Sequence, residues 1–198
     1  MILRSCILAS AALLGGIGFV ALSPTAQSRN TADSFTIDPV HSTVIFRVKH
    51  LNTSYSFGRF NDISGTVTWD DANPSSGGFD VIVKTDSIST ASDKRDAHLK
   101  SPDFFNAAQF PTCTFKAKSI AKGAGENVFD LAGDLTMHGV TKPITAKLEK
   151  TGASKNPRGE LIGFESTFTV KRSDFGINYM PDGLGDEVRI IVSIEAKK

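Results

Sequence analysis

Cysteine is nearly absent: the 198 residues hold only Cys6 and Cys113. Cys6 falls in an N-terminal segment expected to be removed, so the mature chain has no intrachain disulfide and must be held by packing. A surplus of one charge is missing too. Lys and Arg number 22 against 21 Asp and Glu, and loss of Arg4 with the leader balances the two. A neutral chain gives no electrostatic case for nucleic acid or an anionic membrane as partner. The spacings H-x-H, H-E-x-x-H and C-x-x-C do not occur, which leaves a metal site without support. A G-x-S-x-G elbow and a glycine-rich phosphate loop are missing as well, and the scattered acids and histidines form no general acid–base pair.

One apolar run stands out. Residues 7–22 follow Arg4 and precede Ala26-Gln27-Ser28, a positive n-region, an apolar h-region and small residues at a cleavage site. The run is at the short end of a bilayer span and has no positive stop-transfer flank. Residues 1–28 are therefore expected to be a cleaved signal peptide, and residues 29–198 an exported soluble domain with no stable membrane insertion. A domain of that length buries roughly 70% of its unfolded surface, enough for a sizeable core.

What fills the rest is alternation. In the stretch 130–148 and just before it, Phe129, Leu131, Gly133, Leu135 and Met137 share one parity and Asp130, Asp134, Thr136 and His138 the other, the mark of a strand with one dry face. Gly139 supplies a reversal, and Ile144, Ala146 and Leu148 resume the dry side. Pro143, lacking an N–H, belongs at a strand start or edge. Val44, Phe46, Val48 and His50 form another inner set, as do Phe79, Val81 and Val83, and Val188, Ile190, Val192 and Ile194. Between 57 and 70, Ile63, Val67 and Trp69 share a parity that Phe57 fits and Phe60 does not, which predicts a bulge near Asn61-Asp62. Residues 90–108 break the pattern. Ser92 is expected to cap a helix over 93–100, and Ser101-Pro102-Asp103 to start a second helical turn carrying Phe104 and Phe105. These two rings plug one end of a β structure or form a lid.

About eight antiparallel strands with short links and no βαβ alternation predict an all-β fold: an eight-stranded up-and-down barrel with a short helical crossover in its first half, an immunoglobulin-like sandwich being the alternative. Such a barrel is either filled by side chains or holds one small ligand. Small inner residues (Gly65, Ala117, Gly133, Ala146, Ser166) leave room for the second option, and pattern alone does not decide.

Longer stretches carry more. I-D-P-V-H-S-T-V-I-F at 37–46, H-L-K-S-P-D-F-F at 98–105, F-P-T-C-T-F at 110–115, G-D-L-T-M-H-G-V-T-K-P at 133–143 and K-R-S-D-F-G-I at 171–177 resemble the YceI-like family, in order and across the whole mature chain. One departure is Asn156-Pro157-Arg158-Gly159, where a family-like D-P-W-G turn would stand. The resemblance implies a lipocalin-like barrel in the bacterial periplasm, with a tunnel holding a polyisoprenoid such as a prenyl quinone or polyprenyl phosphate. It implies no covalent cofactor and no catalysis, and makes a homodimer possible without indicating an interface.

Parity then assigns the lining: Phe46, Val48, Ile63, Val67, Val81, Val83, Phe115, Leu131, Leu135, Phe164, Phe168, Ile190 and Val192, some of them plain core. Cys113 shares the parity of Phe115 and reads as a small buried hydrophobe. Arg95 is a candidate for a phosphate headgroup, and Arg172 and Asp174 for fixing a turn. A lipid-directed enzyme using His50 or His138 and an unliganded stress-response barrel remain as alternatives.

Overall fold

The computed structural model describes residues 32–157 and 159–198. The expected leader and Arg158 lie outside them. The described chain forms one antiparallel sheet of eleven strand segments and a single α-helix, α1 (Asp93–Lys100). The segments are β1 (Asp33–Ile37), β2 (Thr43–His50), β3 (Ser54–Phe60), β4 (Ile63–Trp69), β5 (Gly78–Lys84), β6 (Ile88–Ser89), β7 (Thr112–Lys122), β8 (Val128–Met137), β9 (Val140–Asn156), β10 (Gly159–Lys171) and β11 (Leu184–Lys197).

Three pairs of these are single long strands, each broken once. β1 and β2 both lie along β11, which bonds β1 through Ala196 and Lys197 and β2 from Leu184 to Ser193. β3 and β4 continue each other across Asn61-Asp62, as the expected bulge requires, and β5 and β6 flank them across a 3-10 turn at Thr85–Ser87. Counted this way, the ring closes as an eight-stranded up-and-down antiparallel barrel. Closure runs through β1, which bonds both β4 and β11 and leaves no free edge at the end of the barrel where it lies.

The break between β1 and β2 is patched by side chains. Asp38 donates its N–H to the carbonyl of Glu195 at 2.8 Å. Ser42 Oγ donates to that carbonyl at 3.1 Å and accepts the Glu195 N–H at 3.0 Å. The hydroxyl thus replaces the missing backbone partner, since a buried ladder group left unpaired is costly. The Asp38 carboxylate accepts the Val40 N–H at 2.9 Å and pairs with Lys197. The D-P-V-H-S motif is a seam fastener.

Met137 pairs with Val140 across His138 and Gly139, which have φ of 52° and 74°. Positive φ at both central residues gives the tight reversal whose twist suits flanking strands. Pro143 sits within β9 opposite Asp134 of β8. It is tolerated because the β9–β10 ladder begins only at Lys147, so at this level that side of β9 is an edge.

Two local expectations are corrected. Ser92 stands at the N-cap of α1 but its side chain makes no capping bond. Asp96 instead turns back, its carboxylate accepting the Thr90 N–H at 2.8 Å and the Thr90 hydroxyl. The run after Ser101 is a chain of turns, not a helix, because Asn106 takes a positive φ of 45° and closes onto Ser101. The bulge also inverts the parity of the β3 phenylalanines: Phe60 is buried and Phe57 is out on the surface.

Candidate ligand-binding site

One end of the barrel is solid. Phe35, Ile37, Val67, Trp69, Phe129, Leu148 and Ile162 are buried there. Trp69 meets Phe129 and Phe164 edge-on at 5.1 and 4.8 Å between centroids, and Phe164 meets Phe79 at 5.1 Å. The Trp69 indole donates to Asp71 at 2.7 Å, so this aromatic stack is anchored at its polar tip.

Above Phe79 and Phe164 the barrel is hollow. A cavity of about 540 Å³ runs from that floor to the opposite end, within the roughly 300–1,000 Å³ usual for small-ligand sites. Of the thirteen residues assigned to the lining by parity, all border it except Ile63 and Val67. Those two are wholly buried: Val67 pairs with Phe79 of the floor, whereas Ile63 pairs with Val83, which borders the void, and is itself covered by its neighbours. The small residues divide as well. Ala146 and Ser166 border the void. At Gly133 a Cβ would come within 2.5 Å of the Phe115 ring, and at Gly65 within 1.9 Å of the Asp80 carbonyl. Their space is already taken by a ring and by a neighbouring strand.

The other end is built from loops, which strand parity could not reach. Leu99, Phe104 and Phe105 come from the crossover, and Ile177, Tyr179 and Met180 from the β10–β11 connection. The only signal for them is apolar residues in otherwise polar segments. His98, Phe104 and Tyr179 pack as a triad, with centroids 5.0 to 5.1 Å apart, and join the crossover to that connection. Arg172 fixes the connection's shape. Its guanidinium donates to the carbonyls of Ile177 at 2.9 Å, Tyr179 at 2.8 Å, Leu184 at 3.1 Å and Gly185 at 3.0 Å. Burial pushes its pKa down while Asp186 opposes the shift. Asp186 in turn receives the N–H and hydroxyl of Ser173. Arg172 therefore fixes a turn, as expected; Asp174 enters none of these contacts.

Polar groups on the cavity wall gather at this open end. His50, Arg95 and His98 border the void. Arg95 is committed to Thr90, donating to its hydroxyl at 2.7 Å and its carbonyl at 2.6 Å. His98 faces Asp103 at 2.9 Å. His138 lies outside the lining, against the Phe175 carbonyl at 2.9 Å and the Phe110 ring, a structural post. Cys113 borders the cavity, and burial raises its thiol pKa to about 11, which keeps it protonated and unreactive. Among the described residues one group could supply three metal donors, Asp38, His41 and Glu195. It sits at the seam of the solid end, and its Asp38 carboxylate is already held by Val40 and Lys197.

A profile of the YceI-like domain matches residues 35–196. The chain belongs to the YceI-like family. It is 38% identical over 183 residues to Protein YceI of Escherichia coli, covering 91% of this chain and 94% of that one. It is 40% identical over 156 residues to a UPF0312 protein of Pseudomonas aeruginosa, covering 78% and 81%. Among solved structures, the Campylobacter jejuni YceI protein superposes with a TM-score of 0.68 at 34% identity, covering 76% of this chain and 89% of that one. Burkholderia cenocepacia BcnA shares the fold with a TM-score of 0.74 at 22% identity, covering 81% and 99%.

Proposed function

We propose that this YceI-like protein binds a long apolar isoprenoid, a prenyl quinone or polyprenyl phosphate, in its barrel and carries or stores it in the periplasm. The observation that carries the reading is the cavity: apolar from its aromatic floor upward, with the histidine and arginine side chains of its wall at the open end and the one hydroxyl near the floor, Ser166, spent on the Lys147 carbonyl. That gradient suits an amphiphile lying tail down. Each buried CH₂ contributes roughly 0.8 kcal/mol, so a few isoprene units give tight binding even after ordering costs. A solved protein of the same fold is described as a polyisoprenoid binding domain from Saccharophagus degradans (TM-score 0.64, 15% identity). The signal-like leader supports export.

Binding is favoured over turnover. His50 borders the void without a hydrogen-bonded carboxylate among the described residues, and His138 is spent on Phe175, so neither has the partner that general acid–base work needs. The test is organic extraction of the purified protein followed by mass spectrometry. A prenyl-type lipid is expected, and adding it back to stripped protein should raise the melting temperature. A lipid-free extract together with an unshifted melting temperature would overturn the reading.

A further inference from the structure

The hairpin formed by β2 and β3 is the lip of the cavity, with His50 and Ser56 on its wall, and it carries features that binding a lipid does not use. Leu51 is at its tip with φ of 45° and 55% exposed. A bulky residue rarely takes this backbone, and here no burial compensates it. Tyr55 on the outer face is 48% exposed and borders no part of the cavity. Arg47 lies 4.2 Å and Lys49 5.0 Å from the centre of the Tyr55 ring. Between Asp38 and Asp62 the sequence has Arg47, Lys49 and Arg59 and no carboxylate, and none of the three forms an ion pair among the described residues. Leu51 donates its N–H to Gly183 at 2.8 Å, which holds the tip beside Tyr179 and Met180, themselves exposed apolar residues at the same rim.

An apolar tip, tyrosine at an intermediate depth and unpaired cations above it are the composition that seats at a bilayer interface. We propose that this hairpin docks the open end of the barrel on an anionic lipid bilayer, Leu51 entering the headgroup layer while Lys49 and Arg47, the cations nearest the tip, meet lipid phosphates. The cavity mouth then faces the membrane. The neutral overall charge does not oppose this, because screening limits each charge to about 8–10 Å; the hairpin itself carries no carboxylate, and on the β11 strand beside it Glu187 next to Lys49 is offset by Arg189 opposite Arg47. The docking deepens the carrier reading and rests on it only for its purpose, the transfer of lipid between bilayer and barrel.

The test is flotation with vesicles of phosphatidylethanolamine and phosphatidylglycerol, and with phosphatidylcholine alone. The wild-type protein should float with the anionic vesicles and release as salt rises. L51D/Y55S touches no cavity-lining residue; it should melt as the wild type, keep its extractable lipid and bind vesicles at least about tenfold more weakly. R47Q/K49Q should bind anionic vesicles no better than neutral ones. Docking is overturned if the wild type fails to float, if L51D/Y55S floats equally well, or if L51D/Y55S converts a dimer to a monomer in sedimentation without vesicles, which would assign the surface to a second copy of the chain. Floating by a protein whose extract is lipid-free and whose melting temperature added prenyl lipid leaves unshifted would support docking while removing the carrier reading.

Discussion

At the solid end of the barrel Trp69, Phe129, Phe164 and Phe79 are packed ring against ring; at the open end Phe104, Tyr179 and His98 form a looser triad, with Tyr179 exposed. The chemistry of the side chains is similar and the supports differ. The first group stands on strands closed into a ring by β1 and β4. The second hangs on a crossover and a loop: Arg172 holds the Tyr179 side by hydrogen bonds to its carbonyls, and the crossover is held by the contacts of Thr90 with Asp96 and Arg95, not by a ladder. Aromatic content by itself does not say whether a barrel is filled. At the open end the ring is interrupted between two segments: β6 pairs only with β3, and β7 pairs only with β5 and β8. The helical crossover spans the gap instead of a strand.

The largest expected effect separates the two ends by one substitution each. Trp69→Ala removes the centre of the solid stack and should cost about 3–5 kcal/mol in urea unfolding, the usual range for a buried large aromatic. Phe168→Ala, whose ring borders an existing void, should cost about 1 kcal/mol or less. It should instead reduce the thermal shift produced by added prenyl lipid. Equal losses of stability would mean that the space beside Phe168 is filled in solution and that the two ends are alike.

A smaller effect is expected at the loop. Arg172→Met leaves four or more loop carbonyls without their donor, and about 2–4 kcal/mol of destabilisation follows from such unsatisfied groups. Hydrogen exchange should show amides of 177–185 opening first while those of β4 and β5 stay protected. Arg172→Lys should rescue little, since an ammonium cannot serve carbonyls spread across a planar fork. Uniform loss of protection would contradict a loop held separately from the barrel.

The solid end and the strand ring were legible in the residues because alternation reports which side chains face inward. The bulge at Asn61-Asp62 was legible as well, from the clash of parity between Phe60 and Ile63. Parity carries no information on height along the barrel or on cover by neighbours, so it groups Val67, which pairs with Phe79 of the floor, and Ile63, which is wholly covered, with Val81 and Leu131. Nor does it see a residue that serves a distant backbone: Arg172 follows β10 in sequence, yet its work is on the carbonyls of 177–185. The charge balance averages the whole chain, and the acid-free hairpin disappears in it. The family motifs located the seam and the loops without saying what Ser42 or Arg172 does there.

The least effect, and one confined to the solid end, concerns Asp71. Lys150 beside it and, to a lesser degree, the Trp69 indole hold its carboxyl below the usual range, against the opposing effect of burial. A carboxyl whose folded pKa is depressed adds stability above its unfolded value, about 3.9, and that stability is lost as pH falls through the lower folded value. The carboxylate is largely exposed, so solvent screening keeps the contribution within about 1 kcal/mol. Wild type should therefore exceed Asp71→Asn by a constant margin from about pH 5 to 8, and the margin should shrink between about pH 4 and 2. Trp69 is the only tryptophan in the sequence, so its fluorescence reads the transition directly. A margin that stays constant down to the acid limit would show that Asp71 holds the indole by geometry alone, without its charge.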